Sequence, residues 1–213
     1  YVTTTKKLMD EGSLSDLDIS VLLLKYSEEF RKGFGKRSYQ EEIDFIVTHE
    51  KRNQLITNLA LDQDGNTLVL FQFVEKHGKP LYHAINDKAH KRRKIFYVSG
   101  ETGVDTREEI RRITETQKNA IIVASLGTFS TGINIKNLHN IIFASPSKSQ
   151  IKILQSIGRG LRKSEDGRAA KLYDVADDLH WKSRKNYTLT HAAERIKIYT
   201  KEKFKYKIYE IDI

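Results

Sequence analysis

The chain has 213 residues and a mass of 24.6 kDa, enough for one substantial core, and its formal net charge of +9 favours an anionic partner such as nucleic acid. It contains no cysteine, which excludes disulfides, a thiolate nucleophile and a cysteine zinc site, and none of its seven histidines belongs to a metal-ligand motif such as HExxH, so we expect this chain to hold no metal ion. No apolar run approaches the roughly 20 residues that span a bilayer, so we expect a cytoplasmic protein that does not bind a membrane.

The beginning of the chain, residues 1–38, is predicted to be a leading segment that contributes one edge strand. Because the first residue is Tyr1 rather than Met, we expect the chain to be part of a longer protein. An apolar run at residues 19–26 is the candidate strand. Residues 30–37, where two glycines stand among basic side chains, are predicted to form a mobile loop.

The middle of the chain alternates between predicted helices and predicted strands. Capping boxes, in which a hydroxyl and an acid or amide three residues later satisfy backbone donors, mark helix starts at Ser38, Thr106 and Ser147. Another helix begins near Glu50 and is ended by the turn at Gly65. Short apolar runs predict strands at residues 67–74, 94–99, 120–125, 139–144 and 170–175. This alternation predicts an α/β fold with a mostly parallel central sheet of five or six strands, covered on both faces.

The end of the chain, residues 186–213, is predicted to add a helix at 192–203 and a strand at 205–213. Lysines alternate there with aromatic residues such as Tyr199 and Tyr206, a pattern that could stack nucleic-acid bases. A half-exposed edge strand has the same alternation, and this is the interpretation that we favour.

Candidate functional residues follow the predicted strands, because ligands of open parallel sheets bind outside the carboxyl ends of the strands. The segments that leave those ends are residues 72–79, 99–103, 125–134 and the helix after Pro146. Residues 125–134 are rich in hydroxyls and glycine, so they can offer hydroxyl and backbone N–H groups to phosphate oxygens. An ordinary turn has a similar composition, and both interpretations stay open for this segment taken alone.

The helix after Pro146 is the most informative of these segments. At about 100° per residue, Gln155, Arg159 and Arg162 fall within about 60° of one another, opposite a cluster of aliphatic side chains. Guanidinium groups match phosphate oxygens, so two fixed arginines beside Gly158 suit a polyphosphate in a cleft. The alternative for such a helix is a charged face that contacts only water.

In order and position, these segments resemble the motifs of the second RecA-like lobe of superfamily 2 helicases. Gln155-x-x-Gly158-Arg159-x-x-Arg162 resembles motif VI, and Thr131-Gly132-Ile133-Asn134 resembles the end of motif V. Residues 68–74 resemble motif IV, and residues 97–100 the segment between. The resemblance spans at least residues 67–178 and implies a RecA-like three-layer sandwich.

The resemblance implies a nucleotide site shared with a missing N-terminal lobe. Arg162 would be the arginine finger that reaches ATP on that lobe, Arg159 would contact the γ-phosphate, and Gln155 would help to sense the nucleotide. The other residues that it assigns to the nucleotide cleft are Gly132, Asn134 and Gly158. ATP is thus the implied cofactor, with Mg²⁺ held by the N-terminal lobe.

The resemblance also implies contacts with DNA, by Ser99, Gly100 and either Ser125 or Thr128. It implies a motor lobe that couples ATP hydrolysis to unwinding or branch migration of DNA, as in recombination and repair. The chain contains no GxxxxGK[ST] loop, and therefore no DExx carboxylate that follows such a loop, so we expect it to be inactive as an ATPase alone. The alternative is a non-catalytic basic module that only binds nucleic acid.

These expectations divide the chain into three parts. Residues 1–38 would link the chain to the N-terminal lobe, residues 39–185 would form the helicase lobe, and residues 186–213 would pack on that lobe. One further group, Asp174, Asp177, Asp178 and His180, has the composition of a metal site. The resemblance places these residues in a loop after the last central strand, and we expect no metal there.

Overall fold

An all-parallel β-sheet organises the chain. The structure is a computed structural model that describes residues 17–89, 93–130, 137–147 and 168–213. The strands are β1 (Leu17–Lys25), β2 (Asn66–Phe71), β3 (Ile95–Val98), β4 (Ile121–Ser125), β5 (Leu138–Phe143), β6 (Ala170–Asp178) and β7 (Lys205–Asp212). Within the described residues, these seven strands pair in the order β3-β4-β2-β5-β6-β1-β7. All their carboxyl ends therefore lie at one edge of the sheet, which we call the carboxyl edge.

Helices cover both faces of this sheet. They are α1 (Glu28–Phe34), α2 (Tyr39–Thr48), α3 (Glu50–Asp62), a π-helix (Val74–Gly78), α4 (Lys79–Lys88), α5 (Val104–Thr116), α6 (Leu126–Ser130) and α7 (Tyr187–Lys201). Helices α2, α3 and α4 bury apolar residues against one face, and α5 and α7 against the other. This arrangement confirms the predicted three-layer RecA-like sandwich. No helix in the described part of the chain is both long and apolar enough to cross a bilayer.

The predicted number of strands was too low. In the part of the chain that the structure describes, the sheet has seven strands because β1 and β7 both join it, and β7 pairs with β1 in parallel at the outer edge. Every residue of β2 and β4 is buried, as expected for central strands covered on two faces. Most side chains of β7 are exposed, which fits the edge-strand interpretation of residues 205–213.

The prediction of a mobile loop at residues 30–37 was wrong for its first half. Residues Glu28–Phe34 form α1, whose first turn is capped by the Ser27 hydroxyl, which accepts a hydrogen bond from the Phe30 N–H at 3.2 Å. Phe30 and Phe34 hold the helix against the domain, because their rings lie 5.3 and 5.1 Å from that of Phe45. Phe45 belongs to the next helix, 11 to 15 positions away, so local turn composition gave no sign of these contacts.

Two other helix starts lie elsewhere than predicted. Helix α5 begins at Val104, so Thr106 lies inside its first turn and makes no capping box. Helix α7 begins at Tyr187, five residues before the predicted start at residue 192. The predicted capping box at Ser38 is confirmed, with hydrogen bonds between Ser38 and Glu41 in both directions. The predicted helix start after Ser147 lies outside the described residues.

A buried carboxylate explains the early start of α7. Glu42 of α2 is 2% exposed and accepts hydrogen bonds from the backbone N–H groups of Tyr187 at 3.0 Å and Thr188 at 2.7 Å. It also accepts from the Thr188 hydroxyl at 2.7 Å and the Asn186 amide at 3.1 Å. An anion at a helix N-terminus satisfies its unpaired donors and interacts well with the helix dipole. Glu42 therefore caps a helix that lies about 145 positions further along the chain.

We expect Glu42→Gln to lower the free energy of unfolding by about 2 kcal/mol, because it removes the charge and turns one acceptor into a donor that faces other donors. Urea denaturation monitored by circular dichroism measures this change. Glu194→Gln, the same change at an exposed position of α7, is the control and should stay within about 0.5 kcal/mol of the unmodified chain. Equal effects of the two substitutions would contradict the capping role.

Candidate nucleotide and nucleic-acid site

The carboxyl edge brings part of the predicted site together. Ser99 follows β3, and Ser125 ends the neighbouring strand β4, so the predicted DNA-contacting segments are adjacent. Thr128 lies in α6, which begins directly after β4. The predicted nucleotide-contacting residues Gln155, Gly158, Arg159, Arg162, Gly132 and Asn134 lie outside the described residues.

The hydroxyls of Ser125 and Thr128 lie against each other. Their oxygens are 2.7 Å apart, and the Thr128 N–H donates to the Ser125 hydroxyl at 3.2 Å. The two residues are only 8% and 5% exposed. Both hydroxyls thus help to close the first turn of α6, and the choice between them as a DNA contact stays a prediction.

Ser99 and Gly100 form a tight turn with Gly100 at its exposed point. The Ser99 N–H donates to the Thr102 hydroxyl at 3.0 Å, and the Thr102 N–H donates back to the Ser99 carbonyl at 3.1 Å. Ser99 is 2% exposed, whereas a Cβ added to Gly100 would meet nothing within 4 Å. Packing does not require a glycine at this position, so the open space beside Gly100 is available for a ligand backbone.

A directed set of hydrogen bonds, here called the His77 network, ties the end of β2 to the end of β5. The Gln72 N–H donates to the Ser145 hydroxyl at 3.0 Å, which lies 2.9 Å from His77 Nδ1. His77 Nε2 lies 3.2 Å from Asn53 Oδ1, and the Asn53 amide nitrogen donates to the Val47 carbonyl at 2.9 Å. The last bond orients the amide so that its oxygen faces His77. His77 Nε2 must therefore carry the proton, and Nδ1 accepts from Ser145.

The surroundings of His77 keep its ring neutral. The side chain is fully buried in the π-helix. Burial, and then the positive charge of Arg52, hold the pKa of His77 well below its usual value of 6.5. The π-helix itself packs tightly on β2, because a Cβ on Gly78 would lie 2.4 Å from the Phe71 ring. The ring of His77 is therefore fixed in both position and protonation state.

A second buried group, the Arg52 network, holds the residue before Ser145. The Arg52 guanidinium donates to the Asp177 carboxylate at 2.9 and 3.1 Å and to the Ala144 carbonyl at 2.8 Å. The Tyr26 hydroxyl donates to the same carboxylate at 2.9 Å, and burial together with Asp177 raises the pKa of Tyr26 above its ordinary range. Arg52 and Asp177 are both 0% exposed. The two networks thus fix Ala144 and Ser145, which lead along the chain to Gln155 and the two arginines.

The acidic side chains of β6 are engaged by neighbouring cations and hydroxyl groups. Asp174 accepts two hydrogen bonds from Arg195 and one from Tyr199, each at 2.7 to 2.8 Å. Asp178 accepts from Lys25 at 2.8 Å and pairs with His180. Among the described residues, no group of histidines and acids is arranged to hold a metal ion. The expectation that these acids lie in a loop after the last central strand was wrong, because Asp174, Asp177 and Asp178 all lie within β6.

The structure also bears on the two interpretations of the lysine and aromatic pattern near the end of the chain, base stacking and packing in the domain. Tyr199 is fully buried and bonded to Asp174, so it cannot stack on a base. Tyr206 is half-buried, and its ring centre lies 6.1 Å from that of Tyr199. These two aromatic residues therefore pack in the domain, as the favoured interpretation predicts.

The sequence did not single out Arg52, His77 or Ser145, although His77 lies within the predicted segment 72–79. Nothing local to these residues indicates burial, since arginine and histidine in polar helices are ordinarily solvated. Their partners lie 24 to 125 positions away in the chain. Only the sheet order, which places the ends of β2, β5 and β6 side by side, reveals that they belong together.

The neutral state of His77 predicts a specific dependence of stability on pH. In the unfolded chain the His77 ring binds a proton below about pH 6.5, whereas in the folded chain it stays neutral to lower pH. The contribution of neutral His77 to the free energy of unfolding is therefore fully present above pH 6.5. It is lost as the pH falls toward the folded-state pKa, by up to about 1.4 kcal/mol per pH unit. We expect His77→Gln to remove this part of the slope between pH 6.5 and 5.5 in urea denaturation.

The exposed His83 offers a matched control for this substitution. His83→Gln should leave the slope of the unfolding free energy against pH unchanged. If His77→Gln and His83→Gln give the same slope as the unmodified chain, the buried neutral state of His77 is wrong.

Comparison with known proteins identifies the family. Residues 50–164, more than half of the chain, match the Helicase conserved C-terminal domain. The ATP-dependent DNA helicase uvsW of Enterobacteria phage T4 is 38% identical over 99% of this chain and 44% of its own length. The crystal structure of T4 UvsW superposes with a TM-score of 0.80, at 36% identity over 99% of this chain and 42% of that one.

More distant structures share the fold. The restriction-modification enzyme LlaBIII bound to DNA matches with a TM-score of 0.59 at 14% identity, over 100% of this chain and 16% of that one. Domain 2 of the DEAD-box helicase Mss116p, bound to an RNA duplex, matches with a TM-score of 0.53 at 14% identity, over 91% of this chain and 64% of that one. The chain spans less than half the length of its T4 relative. It belongs to the helicase conserved C-terminal domain family.

Proposed function

We propose that the chain is the C-terminal motor lobe of an ATP-dependent DNA helicase or translocase that unwinds or branch-migrates DNA. The observation that carries this proposal is the similarity to uvsW, which extends over 99% of the chain at 38% identity. The matched family domain includes the stretch from Gln155 to Arg162. Since the chain spans 44% of that relative, we propose that an N-terminal RecA-like lobe of the same polypeptide supplies the rest of the motor.

In this proposal the lobe completes an ATP site that it cannot form alone. ATP would bind on the N-terminal lobe, and Arg162 and Arg159 would approach its phosphates when the two lobes close. Phosphoryl transfer spreads negative charge over the equatorial oxygens, so an arginine delivered by lobe closure accelerates hydrolysis only in the closed state. Gln155, Gly158, Gly132 and Asn134 would line the same cleft.

The proposal assigns the metal to the other lobe. Among the described residues, no group of histidines and acids could hold a metal ion, and the acids of β6 are occupied by Arg52, Arg195 and Lys25. Mg²⁺ would be held by the N-terminal lobe, where it would neutralise charge on the phosphates. The residues of this chain would supply guanidinium groups to the same site.

The proposal assigns DNA contact to the ends of β3 and β4. Ser99, Gly100 and either Ser125 or Thr128 would lie against the phosphate backbone, which is the part of DNA that backbone N–H groups and hydroxyls contact most often. Opening and closing of the cleft would then move these contacts along the DNA. The adjacency of the two turns at the carboxyl edge supports this assignment.

We expect Arg162→Ala in the full-length protein to lower DNA-stimulated ATP hydrolysis by about 10³-fold or more, because the guanidinium stabilises charge in the transition state. DNA affinity, measured by fluorescence anisotropy, should change by less than about threefold, since this arginine faces the nucleotide. Arg112→Ala, at an exposed position of α5, is the control and should leave both quantities unchanged. A parallel loss of ATP hydrolysis and DNA binding would instead favour the non-catalytic binding module.

A second substitution tests the DNA contact. Gly100→Ala adds a Cβ in open space, so it should leave the melting temperature unchanged but lower DNA affinity about fivefold, because the methyl group keeps the backbone of the DNA away. Gly33→Ala, at a glycine of α1 that also has open space around it, is the control and should leave DNA affinity unchanged. Unchanged DNA affinity in Gly100→Ala would remove this turn from the DNA site.

A further inference from the structure

A second basic surface lies away from the predicted DNA contacts. Four cationic side chains, those of Lys36, Arg37, Arg184 and Lys185, line an open depression of about 240 Å³. Lys36 and Arg37 belong to the connection between α1 and α2, and Arg184 and Lys185 to the connection between β6 and α7. We call this surface the basic depression.

The acidic residues nearby leave most of this charge unneutralised. Among the described residues that line the depression, Glu42 is the one with a carboxylate; it is buried and uses its oxygens to cap α7. Glu41 lies 3.9 Å from Arg37 and is itself engaged by Ser38. Lys36 and Lys185 are exposed, and no ion pair joins either of them to an acid within the described residues. The depression therefore presents a net positive charge to solvent.

The connection that carries Arg184 and Lys185 is hydrogen-bonded to α1, the helix that leads into the connection carrying Lys36 and Arg37. The Arg184 guanidinium donates to the Arg31 carbonyl at 2.8 Å, and the Arg31 guanidinium donates to the His180 carbonyl at 3.2 Å. Trp181 and Arg184 exchange two backbone hydrogen bonds at 3.0 and 2.9 Å. Because both connections are fixed in this way, little ordering would accompany the binding of an anion.

Arg37 is also held in place. Its Nε donates to the Phe34 carbonyl at 3.0 Å, and its guanidinium lies 5.4 Å from the centre of the Phe34 ring. A guanidinium fixed over an aromatic ring keeps its outer N–H groups for a further acceptor. Phosphate oxygens are acceptors of this kind.

The separation between the depression and Ser125 along the sheet favours a polymeric anion over a single nucleotide as the ligand. The depression follows β6 and β1, the fifth and sixth strands in the sheet order, whereas Ser125 ends the second strand. Neighbouring strands lie about 4.8 Å apart, so the three to four strand spacings from Ser125 to the depression correspond to about 14 to 19 Å. One strand of a DNA duplex covers that distance in about four to six base pairs.

We propose that the basic depression binds the phosphate backbone of DNA, as a second contact on the same lobe beyond the turns at Ser99 and Ser125. The choice of DNA among anionic polymers rests on the proposed function. The two contacts lie at the same carboxyl edge, so one DNA molecule can reach both. The depression then adds affinity that depends on salt and not on base sequence.

The test uses Lys36→Ala/Lys185→Ala in the full-length protein, with DNA affinity measured over a series of salt concentrations. Each lysine that neutralises a phosphate contributes about 0.9 to the slope of log K against log salt, so the slope should fall by about 1.8. The DNA concentration that half-saturates ATP hydrolysis should rise about tenfold, with the rate at saturating DNA unchanged. The melting temperature, measured in parallel, should not change, because both side chains are exposed.

The control is Lys201→Ala/Lys205→Ala, which removes the same charge. Lys201 ends α7 and Lys205 begins β7, so both lie at the amino edge of the sheet, opposite the depression. This pair should leave the salt slope and the half-saturating DNA concentration unchanged.

Two outcomes would overturn the proposal. Equal effects of the two pairs would show that only the total charge matters, and an unchanged salt slope in Lys36→Ala/Lys185→Ala would show that DNA does not contact the depression. In both cases the unmodified protein would still hydrolyse ATP in response to DNA. If DNA stimulates no ATP hydrolysis in the unmodified protein, the proposed function itself fails.

Discussion

The structure depends on the way in which the exit of β5 is held. Ala144 is fixed by a hydrogen bond from Arg52, and Ser145 by hydrogen bonds with Gln72 and His77. Polar groups buried at a sheet edge must find partners, and here those partners come from α3, from the π-helix and from the end of β2. The point at which the chain leaves the central strands toward its two arginines is therefore set by two separate parts of the sequence, α3 and the stretch from Gln72 to His77.

Two buried ion pairs lie in this part of the structure, and they connect β6 to its helices more than they add to the net stability of the fold. The pairs Arg52–Asp177 and Arg195–Asp174 are each 0% exposed. Desolvating two charges offsets much of their attraction, so such a pair adds little net stability, although removal of one partner leaves an unpaired charge that destabilises a fold by about 3 to 5 kcal/mol. Each pair joins β6 to a helix on a different face of the sheet. The pairs thus connect β6 to α3 on one face of the sheet and to α7 on the other, while the apolar core supplies the driving force.

The sequence predicted the fold class, the parallel sheet and the central strands because these depend on local apolar runs and on the alternation of helices and strands. It did not predict α1, which packs on Phe45 of the next helix, or the early start of α7, since Glu42, which caps that helix, lies about 145 positions earlier in the chain. The same limit applies to the site. Ser99 and Ser125 could be found because they lie at the carboxyl ends of strands. The same rule included His77 only as a member of residues 72–79, and Arg52 lies on a helix whose local pattern is ordinary. Their role depends on contacts that only the sheet order creates.

The central claim is that this lobe provides half of an ATP site, completed only when a second lobe brings the nucleotide. Hydrogen exchange of the backbone amides between Ser147 and Arg162, measured with and without a non-hydrolysable ATP analogue, tests it most directly. The account predicts that the analogue slows exchange in this stretch in the full-length protein and has no effect on it in the isolated chain. Unchanged exchange in the full-length protein, or equal slowing in the isolated chain, would contradict the claim.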